Sequence, residues 1–216
     1  MSKISFKKLK LYKQKHGTLR LVKKIISRIF SFVFSYRPLY IYGIICETRT
    51  KVQAHCPLEI RNGGHEDIDL FVDFFDNWDE QSTRKYIQYH FDNGGKSFLA
   101  FSGHKLVHCC WLFYHPGFKE ELAHIHLKEQ EAHIASAYTS PEFRGRNIYP
   151  VILQHILKCA AKENIKRAYI TSLTKNTASN RGIEKVGFSR LGKIHGFKLF
   201  GKMFNHHWYS IGDLAV

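Results

Sequence analysis

The chain has 216 residues, 44% of them hydrophobic and 14% aromatic, which is enough for one domain with a sizeable core and an appendage but crowded for two. Its five cysteines (Cys46, Cys56, Cys109, Cys110, Cys159) include no CxxC pair, which argues for free thiols in a reducing compartment and against a disulfide scaffold or structural zinc. The net charge of +15 is uneven: of 33 Lys and Arg, 11 precede Glu47, where no acidic residue occurs, and the other 22 face 18 Asp and Glu. The excess therefore belongs to an N-terminal arm, suited to a polyanionic surface or serving only as a solvated face.

Along residues 19–34, Leu19, Val22, Ile25, Ile26, Ile29, Phe30 and Val33 recur at helical spacing, with Arg20, Lys23, Lys24, Ser27 and Arg28 on much of the other side. This predicts a basic amphipathic helix, which can pack on its own domain, fill a partner's groove or lie in an anionic membrane interface. The best apolar run, 25–46, is broken by Arg28, Arg37 and Pro38, so no membrane span is expected. Basic residues scattered through the first 28 positions make a poor secretory signal. The expected location is the cytoplasm, with the arm allowing a peripheral position at the inner face of the membrane. Residues 39–46 are apolar and β-prone, an extra strand or hairpin arm.

After Pro57 the pattern turns to mixed α and β. A strand is expected at 58–61 and helices at 66–75 and 82–91, the second ended by Asn93-Gly94-Gly95. Strands at 97–101 and 106–114 flank Ser102-Gly103-His104-Lys105 as a hairpin. A strand at 131–139, a long helix at 148–163, a buried strand at 168–173 and a short helix at 178–186 ended by Gly187 follow, and a closing hairpin lies within 191–211. The expected organisation is an extension, 1–50, followed by one domain, 51–216.

The 131–139 strand runs into Ser140-Pro141-Glu142-Phe143-Arg144-Gly145-Arg146-Asn147-Ile148-Tyr149-Pro150. Pro150 marks the first turn of the next helix, where its missing N–H had no intrahelical partner. Free amides of about residues 145–149 then open a helix N-terminus beside two guanidinium groups, a combination that holds phosphates.

Pro141, Arg144, Gly145 and Ile148, followed after one strand by Asn176, Ser179 and Glu184-Lys185-Val186-Gly187-Phe188, resemble in order and spacing the GNAT acetyltransferase superfamily. The resemblance spans about residues 58–200 in element order, with its sharp motifs within 141–188. It implies an α/β (α+β) GNAT fold: a mixed, mostly antiparallel central sheet flanked by helices. It also implies acetyl-CoA or another acyl-CoA as co-substrate, with the acyl group passing directly to an amine.

The amides of Gly145, Arg146, Asn147, Ile148 and Tyr149 would then cradle the pyrophosphate, aided by Arg144 and Arg146. The pantetheine arm would pair with the edge of the splayed strand at Ala135, Ala137 and Tyr138, near Asn176, with Ser179 by the sulfur. The oxyanion would rest on a backbone N–H near Ala137.

Two departures stand out. Asn147 and Tyr149 occupy family glycine positions; asparagine tolerates a positive φ, whereas the bulkier tyrosine crowds the pyrophosphate path or instead stacks or hydrogen-bonds at the mouth of the site. Ile183 stands where many relatives carry a tyrosine that protonates the leaving thiolate, so that either Tyr138, Tyr149, Ser179 or a water takes that task or the thiolate leaves without help. Glu131 and His133, two apart on one strand face, are the candidate bases for the attacking amine. His124 with His126, and His206 with His207, lack a third spaced ligand, so no metal site is expected.

The acceptor is expected to be a small-molecule amine bound opposite CoA among aromatics and histidines (Trp78, Tyr86, Tyr89, His90, Trp111, His206, Trp208), a lining that would suit an amino sugar, an amine-bearing lipid-linked intermediate or an aminoacyl group. The alternatives are a non-catalytic CoA-binding or scaffold module, and a nucleic-acid-associated protein. The latter ranks lower because the arm has no base-reading motif. Flotation on anionic liposomes checks the arm: the full chain should rise with the vesicles, and a chain lacking residues 1–46 should stay in the bottom fraction.

Overall fold

A computed structural model describes residues 17–19, 22, 34–46, 52–75, 79–114, 127–200 and 202–206. The chain forms two compact units, Tyr40–Lys193 with Tyr209–Val216, and Met1–Leu39 with Ile194–Trp208. The boundary falls inside strands β1 (Phe34–Ile45) and β7 (Ser189–Leu199). The expected amphipathic helix at 19–34 lies almost wholly outside the described residues. Among those residues no helix is long and apolar enough to cross a membrane.

In the larger unit, β2 (Glu59–Gly63), β3 (Lys96–Ser102), β4 (Lys105–Tyr114), β5 (Glu131–Thr139) and β6 (Arg167–Leu173) join parts of β1 and β7 in the order β2-β3-β4-β5-β6-β1-β7. The pairs β2–β3, β3–β4 and β4–β5 are antiparallel and β5–β6 is parallel. The mixed, mostly antiparallel sheet of the GNAT-type expectation is therefore present. Helices α1 (Ile68–Phe74), α2 (Glu80–Asp92), α3 (Ile148–Lys162) and α4 (Thr177–Lys185) flank it. Strand β4 is buried at eight consecutive positions, which explains its unbroken apolar run: both faces are covered.

On one face α3 presents Ile148, Ile152, Leu153, Ile156, Leu157 and Ala160 to sheet residues such as Phe98, Cys110, Leu112 and Ile134, a helical stripe packed on alternate strand positions. On the other face, Trp111 meets Phe71 of α1 at 5.6 Å and Phe91 and His90 of α2 at 4.8 and 4.9 Å. Gly95 lets α2 come this close to the sheet, since a Cβ there would lie 2.6 Å from the His90 carbonyl oxygen and 2.5 Å from the Phe113 ring. Arg61 grips Asp67 through two bonds of 2.6 and 2.8 Å, tying β2 to the turn before α1. The guanidinium holds the Asp67 carboxyl below its ordinary range.

In the smaller unit β8 (Lys202–His206) pairs antiparallel with β7 from Leu199↔Lys202 to His195↔His206, and the rings of Phe34 and Tyr36 lie 6.1 and 5.0 Å from that of Phe197.

Candidate active site

Past Thr139 the chain leaves the sheet, bonds back through Ser140 N–H to the Val107 carbonyl (2.9 Å), makes a short 3-10 turn at Pro141–Phe143 and reverses into α3. Two left-handed residues carry the reversal, Gly145 at φ +78° and Asn147 at φ +58°. No heavy atom lies within 4 Å of a Cβ built on Gly145, so conformation demands glycine there and the space beside it is open. Asn147 does more than tolerate its backbone. Its Nδ2 reaches His55 Nε2 (2.9 Å) and the Gln53 carbonyl (3.4 Å), and its Oδ1 accepts from Lys185 Nζ (3.0 Å).

The N–H groups of Ile148 and Tyr149 open α3 and have no carbonyl four residues back to bond. The Arg144, Arg146 and Lys185 side chains are exposed around them. Arg144 Nε donates to the Thr139 carbonyl (3.2 Å) and Arg146 donates to the Glu142 carbonyl (3.4 Å), which orients both guanidinium groups. A helix N-terminus ringed by three cations is an anion site by its electrostatics. Lys185 was singled out in the sequence only as part of a motif; its side chain meets the turn because α4 ends beside it.

Strand β5 changes neighbours just before this turn. Its parallel pairing with β6 runs from Glu131↔Arg167 to Ile134↔Ile170 and stops there, while β5 continues to Thr139. Across from it, Trp111↔Ala135 and Cys109↔Tyr138 leave Cys110 opposite both Ser136 and Ala137, a bulge in which Ser136 has φ +53°. Burial falls off at the same place, with Ala132 to Ile134 buried and Ala137 exposed. Ala135, Ala137 and Tyr138 thus lie along an edge without a β6 partner, leading to the anion site. The Tyr138 ring sits against Phe74 and Phe75, with the Arg144 guanidinium 5.8 Å from its centre.

The bulge carries side chains the sequence did not single out as a unit. Ser136 Oγ lies 2.7 Å from Tyr86 Oη and 2.8 Å from His90 Nε2, both on α2. Trp111 is fully buried and His90 nearly so. Both therefore belong to the packing between α2 and the sheet; this corrects the expectation that they line an open acceptor cleft. Trp78, Trp208, His124, His126 and His207 lie outside the described residues.

Below the turn, Tyr149 stacks on His108 (5.7 Å, 28°), with the Ser179 hydroxyl near its own. Gly182 makes room for the ring, since a Cβ there would lie 3.1 Å from it. Burial pushes the Tyr149 hydroxyl's pKa up. Asn176 Oδ1 accepts from Ser179 N–H (3.2 Å) and caps α4, leaving Nδ2 as its donor. Ile183 is buried in the core, so that family position supplies apolar packing here.

Glu131 and His133 stand at the other end of β5. Glu131 Oε1 accepts from Tyr169 Oη (2.9 Å) and Oε2 from Lys128 N–H (2.8 Å). It lies about 16 Å along the strand from Ser136, at about 3.3 Å per residue. His133 is fully buried with neither ring nitrogen bonded. The structure gathers Arg144, Gly145, Arg146, Asn147, Ile148 and Tyr149 with Ser179 and Asn176 at one end of the sheet, and does not bring Glu131 or His133 to them.

The family model of the acetyltransferase (GNAT) family matches residues 68–188. An acetyltransferase from the GNAT family from Colwellia psychrerythraea aligns with 81% of this chain and 57% of its own, at 16% identity and a TM-score of 0.58. A putative acetyltransferase from the same family from Novosphingobium aromaticivorans aligns over 74% and 63% at 16% identity and a TM-score of 0.50. A functionally unknown conserved protein from Staphylococcus epidermidis aligns over 80% and 66% at 15% identity and a TM-score of 0.53. At such identities the likeness is one of fold, and the chain spans between 57% and 66% of the length of these three structures. No curated protein matches the sequence.

Two outcomes follow from the buried groups. Burial pushes His90 and His133 down to about 4 and His108 down to about 3. Each stays neutral in the fold while its unfolded counterpart takes a proton near pH 6.5. Stability present above that value should therefore be lost as pH falls toward 4, by about 1.4 kcal/mol per unit for each, seen as a falling melting temperature. Glu131→Gln should lower the melting temperature by roughly 2–6 °C and change kcat less than about threefold, because both carboxylate oxygens serve the start of β5; calorimetric melts and steady-state assays check this.

Proposed function

We propose that this chain, which belongs to the GNAT acetyltransferase family, is an acyl-CoA-dependent N-acyltransferase that uses acetyl-CoA to acylate a small-molecule amine. The observation that carries the reading is the continuity of an unpaired strand edge with a cationic helix N-terminus: pairing with β6 ends at Ile134, and the turn at Gly145 and Asn147 follows β5 directly. An extended amide-bearing chain ending in a diphosphate fits that combination, since the edge offers main-chain partners and the turn offers N–H groups and three cations.

In this reading Arg144, Arg146 and Lys185 hold the diphosphate, together with the amides of Gly145, Asn147, Ile148 and Tyr149. Ala135, Ala137 and Tyr138 contribute the strand edge, and Asn176 offers its Nδ2. The amine, once it has lost a proton, attacks the thioester carbonyl carbon. The C–N bond forms, the nitrogen gives up a second proton, the C–S bond breaks, and the thiolate takes a proton. A main-chain donor at the bulge stabilises the developing oxyanion.

The Tyr149–Ser179 pair supports a proton donor reached from α3 in place of a tyrosine on α4. The phenol's raised pKa keeps it protonated, and Gly182 provides its space. The burial of Ile183 also favours a second reading, a CoA-binding module without turnover; release of free thiol with a panel of amines separates the two.

Arg144→Glu should weaken acetyl-CoA by about tenfold or more, read as the Kd in titration calorimetry and as the KM in thiol release, because charge reversal removes one of the three cations and adds repulsion. An unchanged Kd would take Arg144 out of the site.

A further inference from the structure

Ser136 is a non-glycine residue in the left-handed region, at φ +53° in the middle of a strand. A side chain there is sterically unfavourable, so the surroundings must hold it. Serine lacks the backbone tolerance of glycine or asparagine, and what it adds is a hydroxyl. That hydroxyl is fully engaged: Oγ lies 2.7 Å from Tyr86 Oη and 2.8 Å from His90 Nε2.

The direction of every proton in the set can be deduced. His90 Nδ1 is 2.9 Å from the Tyr86 carbonyl oxygen. A carbonyl only accepts, so Nδ1 carries the hydrogen and Nε2 of the neutral ring is an acceptor. Ser136 Oγ–H therefore donates to Nε2, and Oγ accepts from Tyr86 Oη–H. Within these three bonds each hydrogen has one direction available, running from Tyr86 Oη to Ser136 Oγ, from Ser136 Oγ to His90 Nε2, and from His90 Nδ1 to the Tyr86 carbonyl.

Tyr86 and His90 are four apart and share one face of α2, and Gly95 brings that face against the sheet. The ring of His90 lies among Trp111 and Phe113 of β4, at 4.9 and 5.4 Å, and beside Tyr86 and Tyr89 of its own helix. Ser136 meets it from β5. Burial holds the imidazole's pKa down to about 4 and so keeps it neutral. The acceptor state of Nε2 is therefore maintained through the neutral pH range.

We propose that Tyr86 and His90 are positioning residues: by pinning the Ser136 hydroxyl from α2 they hold the left-handed kink that turns Ser136 and Ala137 of β5 out of register and sets the edge offered to the acyl-CoA. The inference rests on the acyltransferase reading for its functional consequence, but the kink and its pins are properties of the free protein. The hydroxyl acts through the backbone conformation and takes no part in proton transfer.

Glycine and alanine at position 136 separate these roles. Both lose the pins, but glycine enters the left-handed region without strain and alanine does not. In hydrogen exchange of the free protein, peptides covering 134–139 should exchange about tenfold faster in Ser136→Ala than in the unsubstituted chain, and Ser136→Gly should fall between the two, with α3 peptides unchanged. In thiol release, kcat should drop by about tenfold or more in Ser136→Ala, and Ser136→Gly should recover at least about fivefold of that loss.

Unchanged exchange in Ser136→Ala overturns the proposal, as does a glycine variant no better than alanine in kcat, which would mean that the hydroxyl acts chemically. Should Ser136→Ala fail to fold, Tyr86→Phe, which deletes one half-buried hydroxyl, decides it: exchange about threefold faster at 134–139 supports the pin and unchanged exchange overturns it. Titration of the unsubstituted chain with acetyl-CoA stands apart. Absence of binding there refutes the acyltransferase reading while the exchange results still judge the kink.

Discussion

Strand β5 loses its parallel neighbour at Ile134 and continues without it to Thr139, and the rest of the site depends on that break. An unpaired strand edge inside a sheet leaves main-chain donors and acceptors unsatisfied, a condition proteins ordinarily avoid by covering or closing the edge. Here the break coincides with a bulge at Ser136 and with the emergence of Ala137 at the surface, so the exposed groups are concentrated over a few residues. On the β4 side the ladder resumes at Tyr138, which confines the disturbance to two residues and keeps the strand end fixed above the turn.

The turn converts that edge into a site with a chemical preference. Gly145 and Asn147 reverse the backbone so that α3 starts with its amides facing the strand's end, and Arg144, Arg146 and Lys185 surround them. Acidic side chains at the two ends of this segment pair with lysines elsewhere: Glu142 with Lys105 at 2.5 Å and Glu163, at the far end of α3, with Lys96. Asn147 links the segment at 53–55, the start of α3 and the end of α4 through one side chain, so the left-handed conformation at the helix entrance is held from three sides. Tyr149 follows the same logic. The bulk that replaces a family glycine is accommodated by Gly182 across from it and by stacking on His108, and its hydroxyl ends beside Ser179.

Much of the fold could be read from the residues. The 131–139 strand, the helix beginning at Ile148 and the Ser102 to Lys105 hairpin lie where alternation, Pro150 and the turn residues put them, because these signals are local: side-chain period, a missing N–H and a tolerated positive φ act within a few residues. The turn into α3 was legible for the same reason, since Arg144, Gly145, Arg146 and Asn147 are consecutive. The helical stripe of 19–34 is equally plain as a pattern and lies almost wholly outside the described residues. Trp111 and His90 misled because aromatic and imidazole groups are compatible with either a cleft or a core, and only packing by α1 and α2 assigns them to the core.

What the sequence determined by itself was the class of fold, the turn at Arg144 to Asn147 that opens α3, and the family, all of which rest on short-range spacing. The tertiary structure alone decided that Glu131 is committed to Tyr169 and His133 sealed away, that the tyrosine near Ser179 comes from α3, and that Ser136 is held by residues 50 and 46 positions earlier. Such pairings depend on which strand stops pairing and how closely a helix lies on the sheet. Nothing in the neighbourhood of Ser136 along the chain encodes its kink, because the groups that offset its strain belong to helix α2.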